Sequence, residues 1–472
     1  MRKLLSIVLA IVMLSSLTVL SACGNTSPSA QVTTASQTPE SSSTATASPA
    51  DEKHTLNIVG STRTYPGQEE AWNKLIEAFK AKYPNIDVTV RWQGTWDQIP
   101  ENMTASKLAK EKVDIYTAGA GVINSTLASS GALLDITEIM KPYLDRFNEG
   151  MLSAYYIDGK LWGFPYGDSS ESLVYYNKTM FDELGLTAPT TYAELLKVSQ
   201  AIKSAKGITP MIHQGKTAAF WPMWFFETYA QTSQNKSVDN VKAFLSKKMS
   251  FANDKAVMAA FDDIKKFWDD GIMSKSSLDT DGDGVRAAFA SGKAAMFYGG
   301  TWEYSALRAA VDSKIQIGAF QFPSLDGTTK PQHGGGPSDA IVIPSWVDRD
   351  NIDTIKLFID FMTSEENVNT VISTFDPVIS VYKGVQVKKT ELTDALNGDI
   401  RNNTIAFLDW IWPSSVNDAF CQAIPAVIDG AMTSAKASEL VQTALDNMVQ
   451  EQGFTYDWYS SWTPDQWKEV TP

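Results

Sequence analysis

Cysteine and histidine are scarce in this chain of 472 residues, and the scarcity removes several chemistries at once. Cys23 and Cys421 are the only cysteines, so one disulfide is the most the chain can make. His54, His213 and His333 lie far apart, with none of the close helical spacing that holds zinc. No Gly-x-Ser-x-Gly elbow is present. Gly215, Lys216 and Thr217 imitate the end of a P-loop, but the earlier glycine such a loop needs is Pro210. Positive charge is also short: 40 Lys and Arg face 54 Asp and Glu, a formal charge of −14. That balance argues against nucleic acid and against direct adhesion to anionic lipid. Beyond the first turns of the chain, no apolar run is long enough to cross a bilayer.

The amino terminus carries what the rest lacks. Arg2 and Lys3 precede an apolar stretch over residues 4–20, too short and too rich in serine for a membrane span. It ends in LSACG at residues 20–24, which resembles the lipobox of bacterial lipoproteins. The resemblance implies a signal peptide over residues 1–22 and a Cys23 acylated with palmitate-type chains. An ordinary signal peptide cut after Ser-Ala is the other reading. A lipidated Cys23 would leave Cys421 without an intrachain partner, and loss of the leader makes the charge −16. Residues 25–51 are almost all Ser, Thr, Ala, Pro and Gln, so residues 23–53 read as a lipidated cysteine and a disordered tether. The expected place is outside the cytoplasm, probing solvent from a Gram-positive cell surface, with the membrane touched through the anchor only.

The body of about 420 residues is too large for one simple core and suits two lobes. Aromatics are its surplus, with 14 Trp, 16 Tyr and 21 Phe. Indole planes pack well against the C–H faces of sugar rings. Residues 55–59 read as a buried strand, and residues 68–83 as a helix with Trp72, Leu75, Ile76, Phe79 and Tyr83 on one stripe. Residues 86–92 and 113–116 continue as strands, the rhythm of a parallel sheet with crossover helices. Further helices are expected over residues 179–184, 193–202, 257–268 and from residue 439, with strands at 294–298 and 340–344.

The middle of the chain is more specific. It holds DGKLWGFPY at residues 158–166, VYYNK at 174–178, MFDELG at 180–185 and PTTY at 189–192. FASGKAAM at 289–296, GTW at 300–302, GGG at 334–336 and FIDFM at 358–362 follow in order. This series resembles extracellular solute-binding proteins of family 1, the capture subunits of sugar-importing ABC transporters similar to maltose-binding protein. The resemblance implies an α/β, two-lobed periplasmic-binding-protein-like fold (type II) with three hinge crossings. By analogy these lie near residues 166–170, 320–323 and 375–378. Lobe 1 is then residues 54–166 plus 322–375, and lobe 2 is residues 167–321 plus 376–472. The implied function is capture of a mono- or oligosaccharide in the cleft by a monomer that hands it to permease subunits, with no catalysis and no required cofactor.

Candidate ligand contacts follow from loop position and from the resemblance. Trp302 stands after two glycines, where the family places an aromatic platform; a core tryptophan is the bland reading. Trp96 and Asp97 follow Gly94, where relatives place polar contacts, and Ser61 and Tyr65 lie in the loop after the first strand. Gly119 and Gly121 would let a sugar approach the backbone. Asp168 and Glu171 at the first crossing offer carboxylates to hydroxyls. Trp221, with Trp224 as its core companion, belongs to the region like the family's second-lobe wall. Gly335, Gly336 and Asp339 read as a backbone nest, and Trp410 and Trp412 as stackers in the last lining segment. Cys421 stands where maltose-binding relatives offer another aromatic, a departure that weighs against maltodextrin.

Asp279, Asp281 and Asp283 with Gly284 spell half of an EF-hand loop, but its twelfth position is Ala290. A structural calcium and a polar helix cap both remain open there. Two other functions also stay open: a secreted glycoside hydrolase, which needs paired carboxylates, and a binding protein of the same fold for a non-sugar solute.

Overall fold

The computed structural model describes residues 53–61, 68–94, 98–148, 150–167, 169–337, 339–372, 379–385, 387, 389–396, 404–407, 410 and 412–452. The leader, Cys23 and the tether lie outside these residues. Among the described residues no helix is long and apolar enough to cross a membrane.

The first sheet begins where the sequence alternates most cleanly. His54–Gly60 pairs in parallel with Ile86–Trp92 and, through Ile58 and Val59, with Ile115–Gly119. The helix Gln68–Lys82 makes the crossover. Its Trp72, Leu75, Ile76 and Phe79 are buried as the stripe requires, and Trp72 packs on Trp92, Tyr166 and Phe358. Glu69 and Glu70 in its first turn and Lys80 and Lys82 in its last oppose the helix dipole. Asp339–Val342 and then Phe164–Pro165 add antiparallel strands on the other side.

The second sheet is built around Ser169–Asn177, nine residues buried at all but one position. Ala294–Gly300, Ile317–Phe320 and His333–Pro337 all pair antiparallel with it. Thr209–Ile212 lies parallel to Ala294–Gly300, and Thr404–Ala406 parallel to His333–Gly335. The helices Phe220–Thr232, Lys255–Asp269, Ser414–Ile428 and Ser434–Gln452 cover it with one aromatic-rich core. Local chemistry sets helix ends here: Thr191 and Glu194 form a capping box on Tyr192–Lys206, Asp254 caps Lys255–Asp269, and left-handed Gly185 and Gly207 close Lys178–Leu184 and Tyr192–Lys206.

Phe164–Pro165 belongs to the first sheet and Ser169–Asn177 to the second, so the chain passes from one to the other between them. The second passage differs. His333–Pro337 belongs to the second sheet and Asp339–Val342 to the first, so the chain crosses at residues 337–339 rather than 320–323. Phe322 packs in the core of the second sheet, and Gly335–Pro337 pairs with the ladder of Ser169–Glu171. The third passage also lies later. Ile379, Val381 and Tyr382 pack in the first core, whereas Leu392 and Leu396 pack against the second sheet. Residues 373–378, where that crossing was expected, lie outside the described residues. Tyr166 N donates to Asp339 O (3.0 Å) and Ser169 N to Ile379 O (2.9 Å), which ties the crossings side by side.

Candidate functional site

The loops at the carboxyl ends of the first sheet's strands supply small and polar groups. Ser61 N donates to Thr117 Oγ1 at 2.9 Å, and both residues are buried. Gly119 is the register partner of Asp339. Gly121 admits a neighbour from the far end of the chain: a Cβ there would sit 2.8 Å from Trp410 Cδ1 and 3.3 Å from Trp410 Cα.

The second sheet supplies rings. Ala294–Gly300 runs into the short turn Thr301–Glu303. A Cβ on Gly300 would lie 2.0 Å from Trp302 Cζ3, so the indole folds back over bare backbone that only glycine allows. Tyr175 OH donates to Gly300 O (2.8 Å) and Glu171 N to Thr301 Oγ1 (3.1 Å), fixing that turn. Trp302 belongs to a row of rings. Phe220 is 6.2 Å from it and Phe407 6.1 Å, and Trp410 is 5.0 Å from Phe407. Phe407 is buried, while Phe220, Trp302 and Trp410 are half-buried. The row thus starts on the second lobe and ends against Gly121 of the first.

The row carries no free charge among the described residues named here. Glu303, next to Trp302, accepts from Gln214 Nε2 (3.2 Å) and Arg286 (2.6 Å), and Arg286 also holds Asp283 (2.5 Å). Arg286 is held above its ordinary value by Glu303 and Asp283, against the opposing effect of its own burial. Among the described residues the arrangement offers half-buried aromatic rings with the charges beside them already paired. It suits a ligand with apolar C–H faces.

Several expected contacts are elsewhere. Trp221 is 1 % exposed and Trp412 0 % exposed, both inside the lobe-2 core. Trp221 lies on a helix buried on nearly all sides and donates to Gly215 O (2.9 Å); Trp412 stacks on Phe226. Glu171 is fully buried, with Oε2 bonded to Thr404 behind the row. Gly335 and Gly336 form strand, not a nest: a Cβ on Gly335 would meet Thr404 Cγ2 at 2.3 Å and Glu171 Oε2 at 2.4 Å. Asp339 is buried in the neighbouring strand. Tyr65, Trp96, Asp97 and Asp168 lie outside the described residues.

The calcium reading is replaced by the helix cap. Asp281 accepts from Gly284 N (3.0 Å) and faces Lys216 (3.4 Å), while Asp283 is drawn to Arg286. Among the described residues no three His, Cys, Asp or Glu side chains gather to hold a metal ion, so Asp279 joins no such set. Cys421 Sγ donates to Ala218 O at 3.3 Å.

Sequence reasoning missed Phe220 and Phe407 in the row. It also missed a buried cluster of Glu171, Ser172, Glu227, Tyr298, His333 and Thr404 behind the row. The available signal was His333 followed by three glycines: glycine inside a strand marks close approach by another group. A hollow of about 610 Å3 opens at the other ends of the first sheet's parallel strands, lined by His54, Lys107, Lys110, Asp114, Trp346 and Asn351 among others. It shares no residue with the row.

The model of the bacterial extracellular solute-binding protein family matches residues 65–369. A multiple sugar-binding protein of Streptococcus mutans is 26 % identical over 53 % of this chain and 58 % of its own length. An sn-glycerol-3-phosphate-binding periplasmic protein of Brucella abortus is 26 % identical over 55 % and 59 %. The chain therefore spans little more than half the length of these relatives. Among solved structures, a chitin oligosaccharide binding protein superposes with a TM-score of 0.73 at 20 % identity, over 84 % of this chain and 99 % of that one. A raffinose-bound binding protein does so at 0.68 and 19 %, over 84 % and 99 %. These likenesses fix the fold as the two-lobed one of solute-binding proteins. With more than half its length matched in order, the chain belongs to the bacterial extracellular solute-binding protein family.

Proposed function

We propose that this protein captures a neutral carbohydrate, an oligosaccharide, in the seam between its lobes and delivers it chemically unchanged to the permease of an ABC importer. The carrying observation is the row Phe220, Trp302, Phe407 and Trp410, which spans from one lobe to the other. Sugar rings stacked on such a row would contact both lobes, so ligand would favour the closed arrangement through its own differential affinity. Relatives named for sugars and relatives named for glycerol phosphate divide on charge. A phosphate ester calls for an unpaired cation. Arg286, which holds Trp302's chain neighbour Glu303, is already paired with Glu303 and Asp283, which favours the uncharged ligand.

The protein works, on this reading, as a monomer outside the cytoplasm. Residues 1–22 are its leader, and an acylated Cys23 with the Ser/Thr-rich stretch after it tethers the lobes to the membrane. Lobe limits follow the sheets, with residues 53–166 and 339–382 in one and residues 167–337 and 389–452 in the other.

The test is thermal-shift titration with xylo-, manno-, gluco-, galacto- and chito-oligosaccharides beside sn-glycerol 3-phosphate, with chromatography of the recovered ligand. A melting rise with an intact saccharide supports the reading. Stabilisation by the phosphate ester alone, or cleavage of the saccharide, contradicts it. Intact-mass analysis of the membrane-extracted protein and of Cys23→Ala tests the anchor.

A further inference from the structure

Behind the aromatic row lies a chain of buried polar side chains that capture of a sugar does not itself use. Gln321 Nε2 is 2.6 Å from the Pro331 carbonyl and 3.1 Å from His333 Nδ1. The carbonyl takes one amide hydrogen, so the other goes to Nδ1, which accepts it. The imidazole proton then belongs on Nε2, which donates to Thr404 Oγ1 at 2.8 Å. Thr404 in turn donates its hydroxyl hydrogen to Glu171 Oε2 at 2.5 Å. Every donor points one way and the series ends on a carboxylate, which makes its last hydrogen bond a charge-assisted one. Glu171, His333 and Thr404 are all buried.

The chain has a mechanical consequence. Thr404–Ala406 is an edge strand of three residues, matched only to His333, Gly334 and Gly335. So short a ladder holds position weakly. Yet Phe407 follows directly and Trp410 three residues later, so this strand aims half of the ring row. The glycines make the attachment possible. A Cβ on Gly335 would strike both Thr404 and Glu171, and one on Gly334 would lie 2.2 Å from Phe407 Cδ1. Glu227 closes the same wall from the helix side, accepting from Ser172 (2.5 Å), Tyr298 (3.0 Å) and Gly334 N (3.4 Å).

We infer that Glu171, His333 and Thr404 form a positioning cluster that sets the affinity of the seam by pinning the strand bearing Phe407 and Trp410. None of the three touches ligand. The inference rests on the carbohydrate reading for its affinity effect but not for its effect on Trp410. Thr404→Val keeps the side-chain shape and removes the hydroxyl. In protein labelled with 5-fluorotryptophan, the Trp410 resonance, assigned by loss in Trp410→Phe, is expected to shift or broaden without ligand. The Kd for the best saccharide is expected to rise roughly tenfold, and Thr404→Ser is expected to restore both readouts. A folded Thr404→Val protein with unchanged resonance and unchanged Kd overturns the inference. Should Thr404→Val fail to fold, Glu171→Gln answers the same question. Its amide oxygen still accepts from Thr404 without the charge, so a roughly threefold rise in Kd with a smaller shift is expected; no change overturns the proposal. If wild type binds no saccharide, the carbohydrate reading falls, and the Trp410 resonance still decides the positioning role.

Discussion

Trp302 and Trp410 on one side, Trp221 and Trp412 on the other, share a residue type and much the same chemistry, yet they end in different environments. The first two are half-buried at the seam, one over bare glycine backbone and one against Gly121. The second two are sealed in the lobe-2 core, Trp221 beside His213 and Trp268 and Trp412 beside Phe226, Phe251 and Phe420. What separates them is the element that carries each ring. A tryptophan just past a strand end, beside glycine, meets the edge of a sheet. Trp221, on a helix that is apolar all round, meets the core, and Trp412 meets it from the segment just before the helix Ser414–Ile428. Composition tells neither apart.

The comparison breaks most visibly in stability. Trp412→Ala should cost about 3–5 kcal/mol in urea unfolding, with ligand affinity of the folded fraction unchanged. A normal unfolding midpoint would mean the ring is not core. Trp302→Ala should do the reverse: about 2 kcal/mol of binding, roughly thirtyfold in Kd, with little change in melting. Equal affinity for variant and wild type would remove Trp302 from the site.

A third experiment sharpens the core side through acid. Burial among Phe220, Trp221, Trp224 and Tyr298 pushes the His213 imidazole from its ordinary 6.5 down to about 3. The unfolded chain therefore binds the proton first, and stability contributed by neutral His213 is lost as pH falls through 6.5 toward 3. The loss approaches about 1.4 kcal/mol per pH unit below roughly pH 5.5. Burial raises the Glu227 carboxyl, which gives the opposite slope, so the informative quantity is a difference. Urea stability of His213→Phe should fall less between pH 7 and pH 4.5 than that of wild type; parallel curves would refute a buried neutral imidazole. The smallest effect concerns Asp281→Ala, which removes a helix cap worth about 1 kcal/mol. Calcium and a chelator should leave the melting of wild type unmoved; a calcium-dependent rise would restore the metal reading.

Much of the fold was readable because period and punctuation agree. The stripe Trp72, Leu75, Ile76 and Phe79 is helical, and the alternation over residues 86–92 is a strand. The second passage between lobes was not readable at residues 337–339. His333–Pro337 has no alternating apolar pattern; its place is dictated by what packs on it, Phe407 and Glu171, both distant in sequence. The site was legible where glycine and tryptophan adjoin, as at Gly300 and Trp302. Phe220, Phe407 and Thr404 carry no local mark, since their role depends on partners more than seventy residues away. Glu171 illustrates the converse. An acid beside a hinge suggested a ligand contact, but the side chain is buried and its Oε2 is bonded to Thr404, more than two hundred residues away.

On this reading, rings at the seam between the lobes hold an uncharged sugar that leaves unaltered. Calorimetric titration of wild type and of Trp302→Ala/Trp410→Ala with the saccharide that most raises the melting temperature, followed by mass spectrometry of the released ligand, tests it most directly. The account predicts saturable binding by wild type, loss of about a hundredfold or more in the double variant, and recovery of the saccharide at its original mass. Undiminished affinity in a folded double variant, or a shortened saccharide, would contradict it.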